Sequence, residues 1–161
     1  MEAHRNEQPE SMVEAWRKMA GLEIIPADMK HMRGVMKLCS KTEYSFPPST
    51  TIRSIAEGRL FVGLLDNLMV GFIEFDIYHR STWTIQRLII ARPVQGHKIG
   101  SSLLSALVDE AQSIGKRVEV TISNENDRLV EFFIKNHFLT KEVQRNVNNK
   151  LSYVMERLSA W

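Results

Sequence analysis

Apolar positions along this chain follow two periodicities that alternate in a regular order. Met12, Val13, Trp16, Met19 and Ala20 recur at helical spacing ahead of Gly21, which predicts a short helix behind a polar lead at residues 1–10. Residues 22–25 read as a short strand. Pro26, Ala27 and Asp28 then open a helix with Met29, Met32, Val35, Met36, Leu38 and Cys39 on overlapping apolar faces. Pro47 and Pro48 break that pattern before a second short helix at residues 51–57, which Gly58 ends.

Strand patterns dominate the middle of the chain. Residues 60–65, 68–78 and 83–91 predict three strands joined by tight turns at Asp66-Asn67 and at residues 79–82. A helix over residues 100–114 buries Leu103, Leu104, Leu107, Val108, Ala111 and Ile114 and stops at Gly115. A strand at residues 118–122, a helix after Asn126, and strands at 138–145 and 151–158 around a turn at 146–150 complete the pattern. An antiparallel start followed by a strand–helix–strand unit predicts an α/β class fold, a mixed sheet with helices on both faces.

Size and composition narrow the class. A chain of 161 residues buries roughly 70% of the surface exposed by its unfolded form. The expected organisation is an N-terminal extension at residues 1–20 and a single domain at 21–161. With 43% hydrophobic and 25% charged residues the chain is an ordinary globular one, and a formal charge of +2 is too small to imply a nucleic-acid partner. Cys39 is the lone cysteine and reads as core filler, so no intrachain disulfide forms and a reducing, cytoplasmic setting is expected. No apolar run approaches the roughly 18 residues of a membrane helix, the polar start is unlike a secretory signal, and no membrane partner is expected. Histidines at 4, 31, 79, 97 and 137 show no paired ligand spacing, so no metal is expected.

The richest chemistry lies where the strand ending Leu88, Ile89, Ile90 runs through Gln95, Gly96, His97, Lys98, Ile99 and Gly100 into the helix at Ser101. A helix N-terminus presents free N–H groups and partial positive charge, and glycines let an anion approach the backbone. Two phosphate-binding patterns fail on spacing. Gly96 and Gly100 enclose three residues rather than four and no Lys follows Gly100, so there is no P-loop; a third glycine for a dinucleotide fingerprint is missing.

Gln95-Gly96-His97-Lys98-Ile99-Gly100 resembles the acyl-CoA loop of the GNAT superfamily of N-acetyltransferases, Arg/Gln-x-x-Gly-x-Gly/Ala, with Lys98 in place of its first glycine. Residues 126–138 resemble a second family segment: Asn126 and Phe138 match, Phe133 takes the usual tyrosine position and His137 that of glycine. The resemblance implies a GNAT-like, mostly antiparallel sheet of six to seven strands with a splayed central pair. It implies acetyl-CoA as cofactor, its pantetheine arm along the backbone of Leu88, Ile89 and Ile90, its pyrophosphate over Gln95, Gly96, His97, Lys98, Ile99, Gly100 and Ser101, and contacts from Asn126 and Phe133. Each feature also has a plain structural reading: a buried strand, a turn, solvated charges at His97 and Lys98, and a helix cap at Asn126.

Acyl transfer to an amine asks for a nucleophile freed of its proton, oxyanion stabilisation and a proton for the leaving thiolate. Glu74, with Gln86, is the candidate on the acceptor side, the alternative being an exposed strand carboxylate. With the usual tyrosine missing, the thiolate leaves with water nearby or takes its proton from a substitute acid, Tyr78 being the candidate, with Tyr44 and Tyr153 as others. The loop bearing Tyr44 and Phe46 borders the acceptor site by resemblance, together with Glu74. The expected function is acetyl-CoA-dependent N-acetylation of a primary amine, on a small molecule or a protein, by direct attack in a ternary complex. A silent acyl-CoA-binding or regulatory module is the alternative, motivated by Lys98, Phe133 and His137. A nucleic-acid or protein-binding module is a third class, suggested by Arg80, Arg87, Arg92, His97 and Lys98. Glu43, Glu74 and Asp76 favour a cationic acceptor. The N-terminal helix and the last strand, ending at Trp161, offer surfaces for a homodimer.

Overall fold

The structure, a computed structural model, describes residues 21–42, 46–96 and 98–158. Seven strands form a sheet in the order β1-β2-β3-β4-β5-β7-β6. They are β1 (Leu22–Pro26), β2 (Leu60–Leu65), β3 (Leu68–His79), β4 (Thr82–Ile90), β5 (Arg117–Ser123), β6 (Phe138–Arg145) and β7 (Leu151–Arg157). The helices are α1 (Met32–Cys39), entered through a 3-10 turn at Met29–His31, α2 (Pro48–Ala56), α3 (Ile99–Ser113) and α4 (Asp127–Lys135). The expected helix at residues 12–20 lies outside the described residues.

The described residues divide into two compact units, 21–73 with 88–103 and 74–87 with 104–158. In the first, β1 runs antiparallel to β2 from Leu22↔Leu65 to Pro26↔Phe61. Asp66 and Asn67, at φ 51° and 66°, then form the two-residue turn into β3. Two left-handed residues match the strand twist, and Asp and Asn tolerate that region best after glycine. Val35, Leu38, Cys39, Ile55, Leu60, Val62 and Phe72 make this unit's core, which gives Cys39 the packing role its sequence suggested. At the entry to α1, the Asp28 carboxylate accepts from Lys30 N at 2.9 Å and His31 Nδ1 accepts from Asp28 N at 3.0 Å, a reciprocal cap.

Two expectations need correction. The second helix begins at Pro48, ahead of Thr51, because a proline at the first helical position is already set to a helical φ and sacrifices no hydrogen bond. Ile114 is 55% exposed, since α3 ends at Ser113 and the chain leaves through Gly115 at φ 72°.

In the second unit β5 and β7 are antiparallel, and so are β6 and β7, with a register shift between Thr140 and Glu142. Its core holds Leu107, Val108 and Ala111 of α3, the inward positions Val118, Val120 and Ile122 of β5, and Phe133, Phe138 and Met155. Phe133 meets Phe138 edge-on at 5.0 Å.

Candidate functional site

The strand-to-helix junction is built in the first unit. The end of β4, Leu88 to Ile90, is half-buried. Ala91 N donates to Val70 O at 2.8 Å, and the Gln95 amide turns back to donate to Ile90 O at 3.1 Å. Gly71 lets β3 approach this segment: a Cβ there would lie 2.8 Å from Ile90 Cδ1 and 2.9 Å from Ile89 O. A 3-10 turn at Arg92–Val94 leads to Gly96 at φ 86°, with nothing within 4 Å of where its Cβ would be. His97 lies outside the described residues.

Lys98, standing where the acyl-CoA loop pattern has glycine, adopts φ 63°, so the lysine takes up the left-handed backbone itself. Ser102 N makes a helical bond to Lys98 O at 3.0 Å, and Ser102 Oγ donates to the same carbonyl. Ile99, Gly100 and Ser101 therefore precede that bond, at the turn whose N–H groups have no partner inside a helix. Ile99 and Leu103 are buried and fix the direction in which this turn points. A phosphate-bearing cofactor fits such a junction: an open left-handed glycine and a left-handed lysine stand at a helix start whose first N–H groups lack helical partners.

Other candidates fall in the second unit. Glu74 is buried and faces the buried Arg87 in a bidentate pair, Nε to Oε1 and Nη2 to Oε2 both at 2.8 Å, with side-chain exposures of 6% and 3%. Neither a solvated strand carboxylate nor an open base is what the fold makes of it. The pair also removes Arg87 from any exposed basic surface. Gln86 is exposed, and Tyr78 is 63% exposed. Phe75 stacks on Trp83 at 4.1 Å.

β4 runs parallel to β5 at three positions, Thr82↔Arg117, Trp83↔Val118 and Thr84↔Glu119. No β5 position continues this register for Ile85, Gln86 and Arg87, as a splayed pair requires. A polar cavity of about 630 Å³ lies beside the last of these pairs, lined by Thr84, Glu119, Thr121, Lys141 and Tyr78 among others. Lys141 donates to the Glu119 carboxylate, which is 15% exposed. Sequence reading missed Glu119 and Lys141. The signal lay in β5, where Val118, Val120 and Ile122 alternate with Arg117, Glu119, Thr121 and Ser123 and so give the strand one wholly polar face.

Asn126 caps α4, its Oδ1 accepting from Leu129 N at 3.2 Å. Phe133 is 1% exposed, inside an aromatic cluster with Phe132 and Phe138. His137, the second glycine replacement, takes φ 68° just past α4. Phe46 is half-buried and Tyr153 lies half-buried in β7; Glu43 and Tyr44 lie outside the described residues. Asp76 Oδ1 accepts from Ile77 N at 2.8 Å. Among the described residues no group of three or more His, Cys, Asp or Glu is arranged to hold a metal, and no helix is long and apolar enough to cross a membrane.

Comparison with known proteins agrees with this geometry. The structure is similar to Ard1 from Thermoplasma volcanium, with a TM-score of 0.76 and 16% identity over 88% of this chain and 99% of that one. It is similar to Arabidopsis thaliana Naa50 in complex with the bisubstrate analogue CoA-Ac-MVNAL, with a TM-score of 0.71 and 17% identity over 86% and 99%. A spermidine N-acetyltransferase chimera from Vibrio cholerae and hSSAT gives 0.71 and 16% over 86% and 95%. At such identities the likeness is one of fold. No curated protein matches the chain by sequence. The profile of the acetyltransferase (GNAT) family matches residues 29–138, which takes in the loop, both sides of the β4–β5 parting and the α4 segment. With the left-handed loop, the short parallel ladder and the family profile in agreement, the chain belongs to the acetyltransferase (GNAT) family.

Proposed function

We propose that this protein is an acetyl-CoA-dependent N-acetyltransferase that passes the acetyl group to a primary amine by direct attack in a ternary complex. The supporting observation is the loop backbone: Gly96 and Lys98 both take left-handed φ ahead of α3, so Lys98 adopts a glycine-like backbone at the position where the sequence departs from the family pattern. Residues 95, 96 and 98–101 hold the diphosphate through backbone N–H groups, with His97 assigned by resemblance, and the strand end Leu88, Ile89 and Ile90 holds the arm. Asn126 and Phe133 keep their assignment by family resemblance. Bound acetyl-CoA supplies an activated thioester.

On the acceptor side, Glu119 takes the ammonium proton in place of Glu74. Both Glu74 oxygens already accept from Arg87, whereas Glu119 faces a cavity next to the end of the β4–β5 ladder. Tyr78, on the same cavity, is the proton donor for the leaving group, and Gln86 is an acceptor-side contact. Phe46 and Tyr44 border the acceptor by resemblance. Phe133 favours a second reading, a silent acyl-CoA-binding module, because a core phenylalanine supplies no proton where the family has a hydroxyl. Assaying free thiol from acetyl-CoA across a broad amine panel separates the two. Amine-dependent release supports the transferase; cofactor binding without release with every amine supports the silent module.

A further inference from the structure

The cavity beside Glu119 carries a charge pattern that bears on the acceptor. Its ionised lining is balanced, with Arg117 and Lys141 against Glu119 and Glu142, and His79 at its edge. Lys141 and Glu119 form an ion pair that faces the cavity. Arg117 lies over Thr82, Nη2 to Oγ1 at 3.5 Å, with its Nε 3.4 Å from Glu156. The rest of the lining is almost entirely hydroxyl and amide, with Val154 as its aliphatic member.

A polycation gains little from such a wall, because Glu119 brings Lys141 with it and the lining holds as many cations as carboxylates. An apolar amine leaves most of the polar side chains of the lining without a partner. A head group carrying an ammonium and a carboxylate on one carbon is complementary to an adjacent acid and base: its ammonium meets Glu119 while its carboxylate meets Lys141 and Arg117, each a charge-assisted hydrogen bond. Resting on the acetyltransferase reading above, we infer that the acceptor is a small hydrophilic zwitterion, an α-amino acid with a polar side chain, its α-ammonium directed to Glu119.

Calorimetric titration of the CoA-saturated protein tests this without turnover. The probes are the polar L-amino acids, their carboxamides, and spermidine. The expected result is that at least one amino acid binds about tenfold more tightly than its carboxamide and more tightly than spermidine. Lys141→Met erases that preference and Lys141→Arg retains it; the side chain is partly exposed, and an unchanged CoA affinity reports that each variant is folded. Carboxamides or spermidine binding as well as the amino acids, or no amino acid binding at all to protein that still binds CoA, overturns the zwitterion inference alone. Failure to bind CoA overturns the underlying transferase reading instead.

Discussion

Arg87 grips both oxygens of Glu74, and the two side chains are almost completely shielded from water. Removing one partner of a buried pair strands the other charge, at a cost of about 3–5 kcal/mol. Glu74→Gln is therefore expected to lower the urea midpoint sharply, and Glu74→Leu combined with Arg87→Met to recover most of the loss. A drop in kcat at unchanged stability would mean that Glu74 is a base after all.

Lys98 and His137 occupy backbone regions that penalise a Cβ by about 1–2 kcal/mol. Lys98→Gly and His137→Gly are each expected to raise stability by about 1 kcal/mol, after the extra freedom glycine brings to the unfolded chain. Urea unfolding at constant m-value measures this. Lys98→Gly also separates side chain from backbone. If peptide dipoles hold the diphosphate, CoA affinity changes by no more than about fivefold, because an exposed ion pair contributes about 0–1 kcal/mol.

Gly71→Ala places a methyl against the Ile89 carbonyl oxygen and the end of Ile90. Backbone cannot yield as a flexible side chain does, so the expected cost is about 1–3 kcal/mol of stability. The strand end at Ile89 and Ile90 shifts with it, and if that end holds the cofactor arm as proposed, steady-state kinetics show a raised KM for acetyl-CoA.

Asn126→Ala removes the cap of α4, for about 1 kcal/mol. Asn126→Asp keeps the cap. If Asn126 only caps, thermal unfolding separates the two variants and the KM for acetyl-CoA stays level in both; a raised KM in both variants, with stability lost only in the alanine one, marks a direct cofactor contact.

Most of the framework was legible because each element carries a local cause: Asp66-Asn67 for the tight turn, Asn126 for the cap, alternation in β5. The start of α2 was misplaced because the pair Pro47-Pro48 reads as a break, whereas a proline also begins a helix. Glu74 and Arg87 were misread for a deeper reason. β3 is buried continuously from Val70 to Phe75, so no alternation marks which way Glu74 points, and its partner is thirteen residues away on another strand. Lys98 looked like a flaw in the loop pattern; its φ is a property of the folded backbone, which residue identity alone does not disclose. Glu119 and Lys141 meet only through the pairing of β5, β7 and β6, a relation absent from either segment alone.

Differential scanning calorimetry with CoA shows whether the backbone of residues 95–101 receives the diphosphate, as proposed. Saturating CoA is expected to raise the Tm by mass action, by about 2.7 kcal/mol of added stability at a hundred times Kd. Gly96→Val, which forces a β-branched side chain into a left-handed turn, should abolish most of that rise. An unchanged Tm at millimolar CoA in the unsubstituted protein would contradict the claim.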